Sequence, residues 1–189
     1  DSPVSGGGES VGKPAPVERF KAELEALGGV FVSCHVSELA QQLVDLFHRK
    51  GVERLQSWAP AALPAGLVDA LQSAGLSLQT EPDPHLAAGL TGALAGVAET
   101  GSLILTSGED RPLTASLLPE IHVAVLAAER IVPTLAQFFG RSAAGDLDLV
   151  RAAASTVLIS GPSRTADIEM TLTVGVHGPR ELYVFCLTG

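Results

Sequence analysis

The chain has 189 residues, of which 46% are hydrophobic, and its 21 acidic and 12 basic side chains give a formal net charge of -9. This length and composition predict one domain with a sizeable core, and the acidic balance excludes DNA or RNA as an expected partner. The apolar runs are broken by Gly, Pro or charged residues before the roughly 20 residues that a membrane span requires, so we expect no transmembrane helix.

The first 16 residues are rich in glycine and serine and predict a disordered tail. They contain neither the basic segment nor the apolar segment of a secretory signal. We therefore expect a cytoplasmic protein with a single domain at 17–189.

Three helix-then-strand cycles follow the tail, each with apolar residues at helical spacing, a glycine stop and a short apolar run. Ser37 is the predicted N-cap of the second helix. The helices are predicted at 17–27, 37–50 and 67–74, and the strands at 30–34, 52–58 and 76–79. Such cycles predict an α/β fold, with an open, mostly parallel sheet and flanking helices.

The rhythm changes in the second half, where two apolar runs predict strands at 90–98 and 102–106 joined by a tight corner. A buried strand is then predicted at 121–126, followed by a helix at 129–139 with Pro133 in its first turn. The remaining elements are predicted as a helix at 146–154, a strand at 156–159, a helix at 164–173 and a strand at 182–187.

The segment 160–169, Ser-Gly-Pro-Ser-Arg-Thr-Ala-Asp-Ile-Glu, is the most informative for function. It places a Gly-Pro turn between a buried strand and a helix start, where ligands of open α/β sheets gather. The hydroxyls of Ser160 and Thr165, the free N–H groups of the helix start and the Arg164 guanidinium are typical of a carboxylate or phosphate site. The segment matches neither GxGxxG nor a Walker lysine motif, so it does not demand a nucleotide.

A structural interpretation of the same segment stands beside the functional one. Ser163 then only caps the helix, Gly161 turns the chain, and Asp167 and Glu169 are ordinary acidic residues that the helix dipole favours.

Glu99 is the second candidate, because a carboxylate at the end of an apolar run is costly to bury unless it is paired or functional. It would act as a nucleophile or general base. The alternative is a solvent-exposed corner, at which Thr100 and Gly101 only supply turn geometry.

Cysteine and histidine usage predicts no metal site. Cys34 and Cys186 lie in apolar, strand-like runs and are expected to be reduced core residues, as in cytosolic proteins. No CxxC spacing exists, so neither zinc nor an iron-sulfur cluster is expected on cysteines. His122 and His177 each have a side chain that can titrate near neutrality, but a single histidine in a strand or turn is more often a structural residue than a base. No GxSxG elbow indicates a serine hydrolase.

Four strings in the C-terminal half resemble LUD-domain proteins, most closely the lactate-utilisation protein C branch. They are Ala-Glu-Thr-Gly-Ser at 98–102, Ser-Leu-Leu-Pro-Glu-Ile-His at 116–122, the segment 160–169, and Gly-Val-His-Gly-Pro at 175–179. The resemblance is collinear from about Leu90 onward. It implies a fold similar to the sugar-isomerase and CoA-transferase superfamily, which includes 5-formyltetrahydrofolate cyclo-ligase.

The family acts with two iron-sulfur partner proteins in oxidising L-lactate to pyruvate. The resemblance therefore implies a subunit or accessory protein of that system, with iron-sulfur clusters on the partners, no cofactor on this chain and a small anionic ligand. The superfamily implies an alternative, a free-standing isomerase, transferase or cyclo-ligase acting on a phosphorylated, folate or CoA substrate. A ligand-binding regulator without chemistry is a third interpretation.

The resemblance also implies site residues at two corners. Glu99 and Asp167 are the catalytic candidates. The ligand-binding candidates are Thr100, Gly101, Ser160, Gly161, Ser163, Arg164, Thr165 and Glu169. In this hypothesis Arg164 and the helix N-terminus hold a carboxylate or phosphate, while Glu99 or Asp167 acts as acid, base or ligand orienter. The hypothesis requires the two corners to lie side by side.

Overall fold

The computed structural model describes residues 15–140, 146–163 and 178–188. The helices in these ranges are α1 (Pro16–Ala26), α2 (Leu39–Arg49), α3 (Leu67–Ser73), α4 (Thr114–Leu117), α5 (Leu135–Gly140) and α6 (Asp146–Ala152). The strands are β1 (Val30–His35), β2 (Arg54–Ser57), β3 (Ser77–Gln79), β4 (Ala88–Gly92), β5 (Ala95–Val97), β6 (Ser102–Thr106), β7 (Ile121–Ala127), β8 (Ile131–Val132), β9 (Thr156–Ile159) and β10 (Glu181–Thr188). No helix in these ranges has the length and apolar character needed to cross a lipid bilayer.

The larger of two sheets contains six strands in the order β1-β10-β7-β4-β2-β3. All of its strand pairs are parallel. Residues 121–126 of the central strand β7 are all buried, as expected where both faces of a parallel sheet are covered. The predicted α/β class, with an open and mostly parallel sheet and flanking helices, is confirmed.

The smaller sheet, in the order β8-β5-β6-β9, was not predicted. The run 90–98 is wrong as a single strand, because β4 belongs to the large sheet and β5 to the small one. The chain changes sheets at Ala93, which donates to Val125 O, and Leu94, which donates to Ile104 O. Since the run contains no charged residue and a single hydroxyl residue, Thr91, its pattern predicts one buried strand and does not mark the change.

The helix predicted at 129–139 is also wrong in its first half. A 3-10 turn at Ala128–Arg130 is followed by strand β8, and α5 begins only at Leu135. Ile131 pairs with Gly96 of β5, and a β-branched residue suits a strand. Tertiary pairing has overridden the helical spacing.

Ser37 is not the N-cap of α2. It lies in a 3-10 turn at Val36–Glu38, and α2 follows from Leu39 without a side-chain cap. The imidazole Nδ1 of His35 accepts a hydrogen bond from the Ser37 backbone N–H at 3.3 Å. His35, the last residue of β1, therefore caps the 3-10 turn and not α2.

One large apolar cluster includes residues of both sheets and of helices α1 to α4, and a smaller one lies between the small sheet and α5 and α6. Cys34 and Cys186 are free and buried, as predicted. Cys186 pairs in register with Ser33, so the two side chains point to the same face of the sheet. Cys34 follows Ser33 in the strand, and its thiol therefore points to the opposite face. Burial raises the pKa of Cys186 to about 11.

Candidate functional site

The two predicted corners meet at one end of the small sheet. Strands β6 and β9 are antiparallel with Leu103 opposite Ile159, which brings Ser102 beside Ser160. The Oγ atoms of these serines are 2.6 Å apart, and Thr100 Oγ1 is 2.8 Å from Ser102 Oγ. We call Thr100, Ser102 and Ser160 the hydroxyl corner. The sequence hypothesis required this juxtaposition of the two corners.

The hydroxyl corner is buried in the middle and open at both ends. Ser102 is only 2% exposed, whereas Thr100 and Ser160 are exposed. Each hydroxyl supplies one hydrogen, and two hydrogen bonds link the three oxygens. Among the described residues, these are the hydrogen bonds of the three hydroxyls, so one O–H remains to donate outward, to solvent or to a ligand.

Helix α1 packs against both sides of this corner. Gly101 has a φ of +62°, and a Cβ placed there would lie 2.4 Å from the backbone N of Leu24. Gly161 has a φ of +81°, and its Cβ would lie 2.8 Å from Leu27 Cβ. These conformations and close approaches both favour glycine. The two predicted glycines thus position the end of α1 over the corner.

Glu99 is half-buried, so its position lies between the two predicted alternatives, a buried carboxylate and a solvent-exposed corner. Its Oε1 accepts a hydrogen bond at 2.9 Å from the backbone N–H of Leu135, at the start of α5, and its own N–H donates to Pro133 O. Glu99 therefore ties the corner to a segment 36 positions further along the chain. No local sequence pattern predicts Leu135 as the partner of Glu99, and a catalytic role for Glu99 stays a prediction.

The segments around Ser163 and Pro179 adjoin. The backbone N–H of Ser163 donates to Pro179 O at 2.7 Å, and a Cβ at Gly178 would lie 3.5 Å from Ser163 Cβ. Two of the four resembling strings therefore meet in space. The other predicted site residues of this region, Arg164, Thr165, Asp167 and Glu169, lie outside the described residues, as do His177 and the helix predicted at 164–173.

A cleft of about 640 Å³ lies beside Glu99, between α1 and the segment that leads into α5. Ala98 and Pro133 line it together with apolar and charged residues of α1, among them Arg19 and Glu23. Its volume falls in the range of small-molecule sites, roughly 300–1,000 Å³. Ala98, the residue before Glu99, lines the cleft, whereas Thr100, Ser102 and Ser160 do not.

The string 116–122 runs from the end of helix α4 to the first two residues of strand β7 in the large sheet. His122 is fully buried, and its Nε2 is 2.8 Å from Thr91 Oγ1. Burial lowers the pKa of His122 to about 3, so its imidazole is neutral near pH 7. The prediction of a structural histidine agrees with this position.

Sequence reasoning left Ser102 out of the site, although it ends the string 98–102 that carries the resemblance. Its position directly after the predicted corner was the one available signal. In the described ranges no group of three His, Cys, Asp or Glu side chains is placed to hold a metal ion.

Comparison with known proteins agrees with these features. The family model of the LUD domain matches residues 84–187, which is more than half of the chain. A lactate utilization protein C of an Exiguobacterium species is 30% identical over 171 residues, covering 86% of this chain and 74% of that protein.

Two other relatives match shorter stretches. An uncharacterised protein of Neisseria meningitidis serogroup B is 36% identical over 110 residues, or 58% of this chain and 46% of the relative. A lactate utilization protein C of Halalkalibacterium halodurans is 39% identical over 101 residues, which are 51% of this chain and 42% of that protein. The chain thus matches less than half the length of these two relatives.

The crystal structure of a DUF162 family protein from Deinococcus radiodurans superposes with a TM-score of 0.69 at 22% identity. The match covers 93% of this chain and all of that one, and it shows a common fold. Together with the strings at both corners, the family match and the long alignment to the Exiguobacterium protein show that the chain belongs to the LUD-domain family.

Proposed function

We propose that this chain takes part in lactate utilization as a subunit or accessory protein that binds a small anionic ligand and works beside iron-sulfur partner proteins. The names of its relatives support the process. The ligand proposal depends on the hydrogen bond between Ser102 and Ser160, which joins two corners that are 58 positions apart in the chain.

The hydroxyl corner has the chemistry to contribute to anion binding. Its remaining O–H can donate to an oxygen of a carboxylate or phosphate. Because hydroxyls are neutral, the positive charge in this proposal comes from Arg164, directly after Ser163, with the N–H groups of Thr165 and the predicted helix start.

The proposal assigns Glu99 or Asp167 the role of acid, base or ligand orienter. One carboxylate oxygen of Glu99 already accepts the Leu135 N–H, which favours orienting the corner over nucleophilic attack. Thr100 and Gly101 would then shape the same edge of the site, and Gly161 and Glu169 the other.

In this proposal the electrons travel on the partner proteins. Cys34 and Cys186 are buried on opposite faces of one sheet, so they cannot ligate one iron-sulfur cluster together.

Isothermal titration of the full chain with lactate, pyruvate and inorganic phosphate tests the ligand. We expect Arg164→Ala and Ser160→Ala each to weaken the affinity for the bound anion about tenfold, which corresponds to about 1.4 kcal/mol. Ser73→Ala is the matched control, because the Ser73 hydroxyl lies on the exposed side of helix α3 and donates to the Asp69 carbonyl. Unchanged affinity in both site variants would remove the anion-binding role.

Reconstitution of lactate-dependent electron transfer with the iron-sulfur partners, with and without this chain, tests the process. We expect the rate to fall when the chain is omitted, and equal rates would contradict the proposal. Turnover of a phosphosugar, folate or CoA ester by the chain alone would select a free-standing enzyme instead. Ligand binding without either effect would select a regulator.

A further inference from the structure

The string 116–122 contributes His122 to a buried polar region on the large sheet. The function proposed for the hydroxyl corner does not use this region. Gln56, Gly89 and His122 pair in register across the neighbouring strands β2, β4 and β7. We call these three residues the buried row. Side chains in one row point to the same face, and Gly89 places no side chain between Gln56 and His122.

Helix α4 covers this row. Gln56 Nε2 donates to Thr114 Oγ1 at 2.8 Å, and a Cβ at Gly89 would lie only 1.8 Å from the carbonyl oxygen of Ala115. Four residues after Ala115 stands Pro119, which has no N–H to donate to that carbonyl. The Ala115 carbonyl therefore lies over Gly89 without the usual helical donor.

Two polar atoms of the buried row have no partner among the described residues, Gln56 Oε1 and His122 Nδ1. Both residues are 0% exposed. The amide of Gln56 cannot be flipped to relieve this, because its Nε2 also donates to Thr80 O at 2.9 Å, and a flip would set two acceptors against each other.

The contact with Thr91 indicates where the proton of His122 resides. If Nε2 carried it, the Thr91 hydroxyl hydrogen would also lack an acceptor among the described residues. With the proton on Nδ1, the Thr91 hydroxyl donates to Nε2, and Nδ1–H is the one donor left. The buried row thus presents a donor at His122 and an acceptor at Gln56, beside the Ala115 carbonyl.

We infer that Gln56, Ala115 and His122 form a buried binding site for a small neutral molecule that both accepts and donates hydrogen bonds, namely water. Native proteins rarely leave such buried groups unpaired, and internal waters join them. An ion is disfavoured because the groups at this site are neutral, and their hydrogen bonds would not offset the free energy that the ion loses when it leaves water. The string 116–122 then has a structural purpose, since it provides both His122 and Pro119.

A high-resolution crystal structure and nitrogen NMR of the full chain test this site. We expect a density peak within roughly 2.7–3.2 Å of both His122 Nδ1 and Gln56 Oε1, and a proton on His122 Nδ1 with a nuclear Overhauser effect to water. A direct bond from Nδ1 to the Ala115 carbonyl with no third molecule, or a proton on Nε2, would overturn the inference.

A paired substitution sharpens the test. Gln56→Met removes the acceptor at similar length, and we expect the water signal to His122 to be lost. Gln41→Met is the control, because Gln41 bonds Asp45 on the exposed side of α2. A water signal that persists in Gln56→Met contradicts the role of Gln56, and the wild-type measurements decide the case if this variant does not fold. Density larger than water, with a matching mass released on denaturation, would contradict water as the occupant and identify a neutral organic ligand instead.

Discussion

The hydroxyl corner and the buried row contain similar neutral hydrogen-bonding groups in different surroundings. In the corner, only Ser102 is buried, and Thr100 and Ser160 open to solvent. In the buried row, Gln56 and His122 are fully enclosed beneath α4. Polar groups that reach solvent can exchange water for a ligand, whereas enclosed groups must be paired for the fold to be stable. We therefore assign the binding of an exchangeable ligand to the corner, and to the row a buried water that contributes to stability.

Gly89→Ala is expected to have the largest effect on the free energy of unfolding, because it changes a residue of the buried row itself. The new Cβ would overlap the Ala115 carbonyl oxygen, a backbone atom that cannot turn aside. We expect the free energy of unfolding to fall by about 3 kcal/mol or more. Urea unfolding followed by the fluorescence of Trp58, the single tryptophan, measures this. Gly140→Ala, with no atom within 4 Å, is the control, and equal stabilities would refute the close approach.

Acidification is the next test of the row. Because burial lowers the pKa of His122 to about 3, the unfolded chain takes up this proton first, near pH 6.5. The contribution of His122 to stability is therefore complete above that pH and is lost as the pH falls toward 3. The free energy difference between wild type and His122→Asn should change by about 1.4 kcal/mol per pH unit between about pH 6 and 4. A difference independent of pH would show that His122 is not enclosed.

Gly101→Ala tests the packing of α1 on the hydroxyl corner. The substitution strains a residue with φ of +62° and also places Cβ against the backbone of Leu24. Gly51→Ala is a matched control, because Gly51 has φ of +67° but no atom within 4 Å. We expect about 1 kcal/mol of destabilisation at Gly51 from the backbone alone and about 2 kcal/mol more at Gly101. Chemical denaturation of both variants measures the difference, which would vanish if α1 did not approach the corner.

Ser102→Ala should have the smallest effect on stability. It removes the two hydrogen bonds that link Thr100 to Ser160, for an expected loss of about 1–2 kcal/mol. Ser73→Ala on the surface should stay within about 0.5 kcal/mol of wild type, and denaturant midpoints compare the two. A loss no greater than that of the control would mean that the hydroxyl corner adds nothing to the fold.

Much of the fold was predictable because its signals are local. Helical spacing and glycine stops predicted α1 and α3, and short apolar runs predicted β1, β7 and β10. The run 90–98 failed because an apolar stretch has the same pattern whether it stays in one sheet or crosses between two. The first half of the helix at 129–139 failed because Ile131 pairs with Gly96, a residue that is distant in the sequence.

The candidate site also has a part that local sequence patterns predicted and a part that they did not. The residue types at Glu99, Thr100, Gly101, Ser160 and Gly161 drew attention to both corners, because turns and hydroxyls at strand ends are visible in the sequence. Only the antiparallel pairing of β6 with β9 decided that Ser102 and Ser160 meet. Only packing on α5 decided that Glu99 caps a helix.

The sequence by itself determined the α/β class, the family and the two polar corners, since each depends on neighbouring residues or on motif strings. The tertiary structure decided which groups share a partner, which are enclosed, and that Gln56, Gly89 and His122 form one row. Those properties arise from strand register and burial, which join residues far apart in the chain and leave no mark on local sequence patterns.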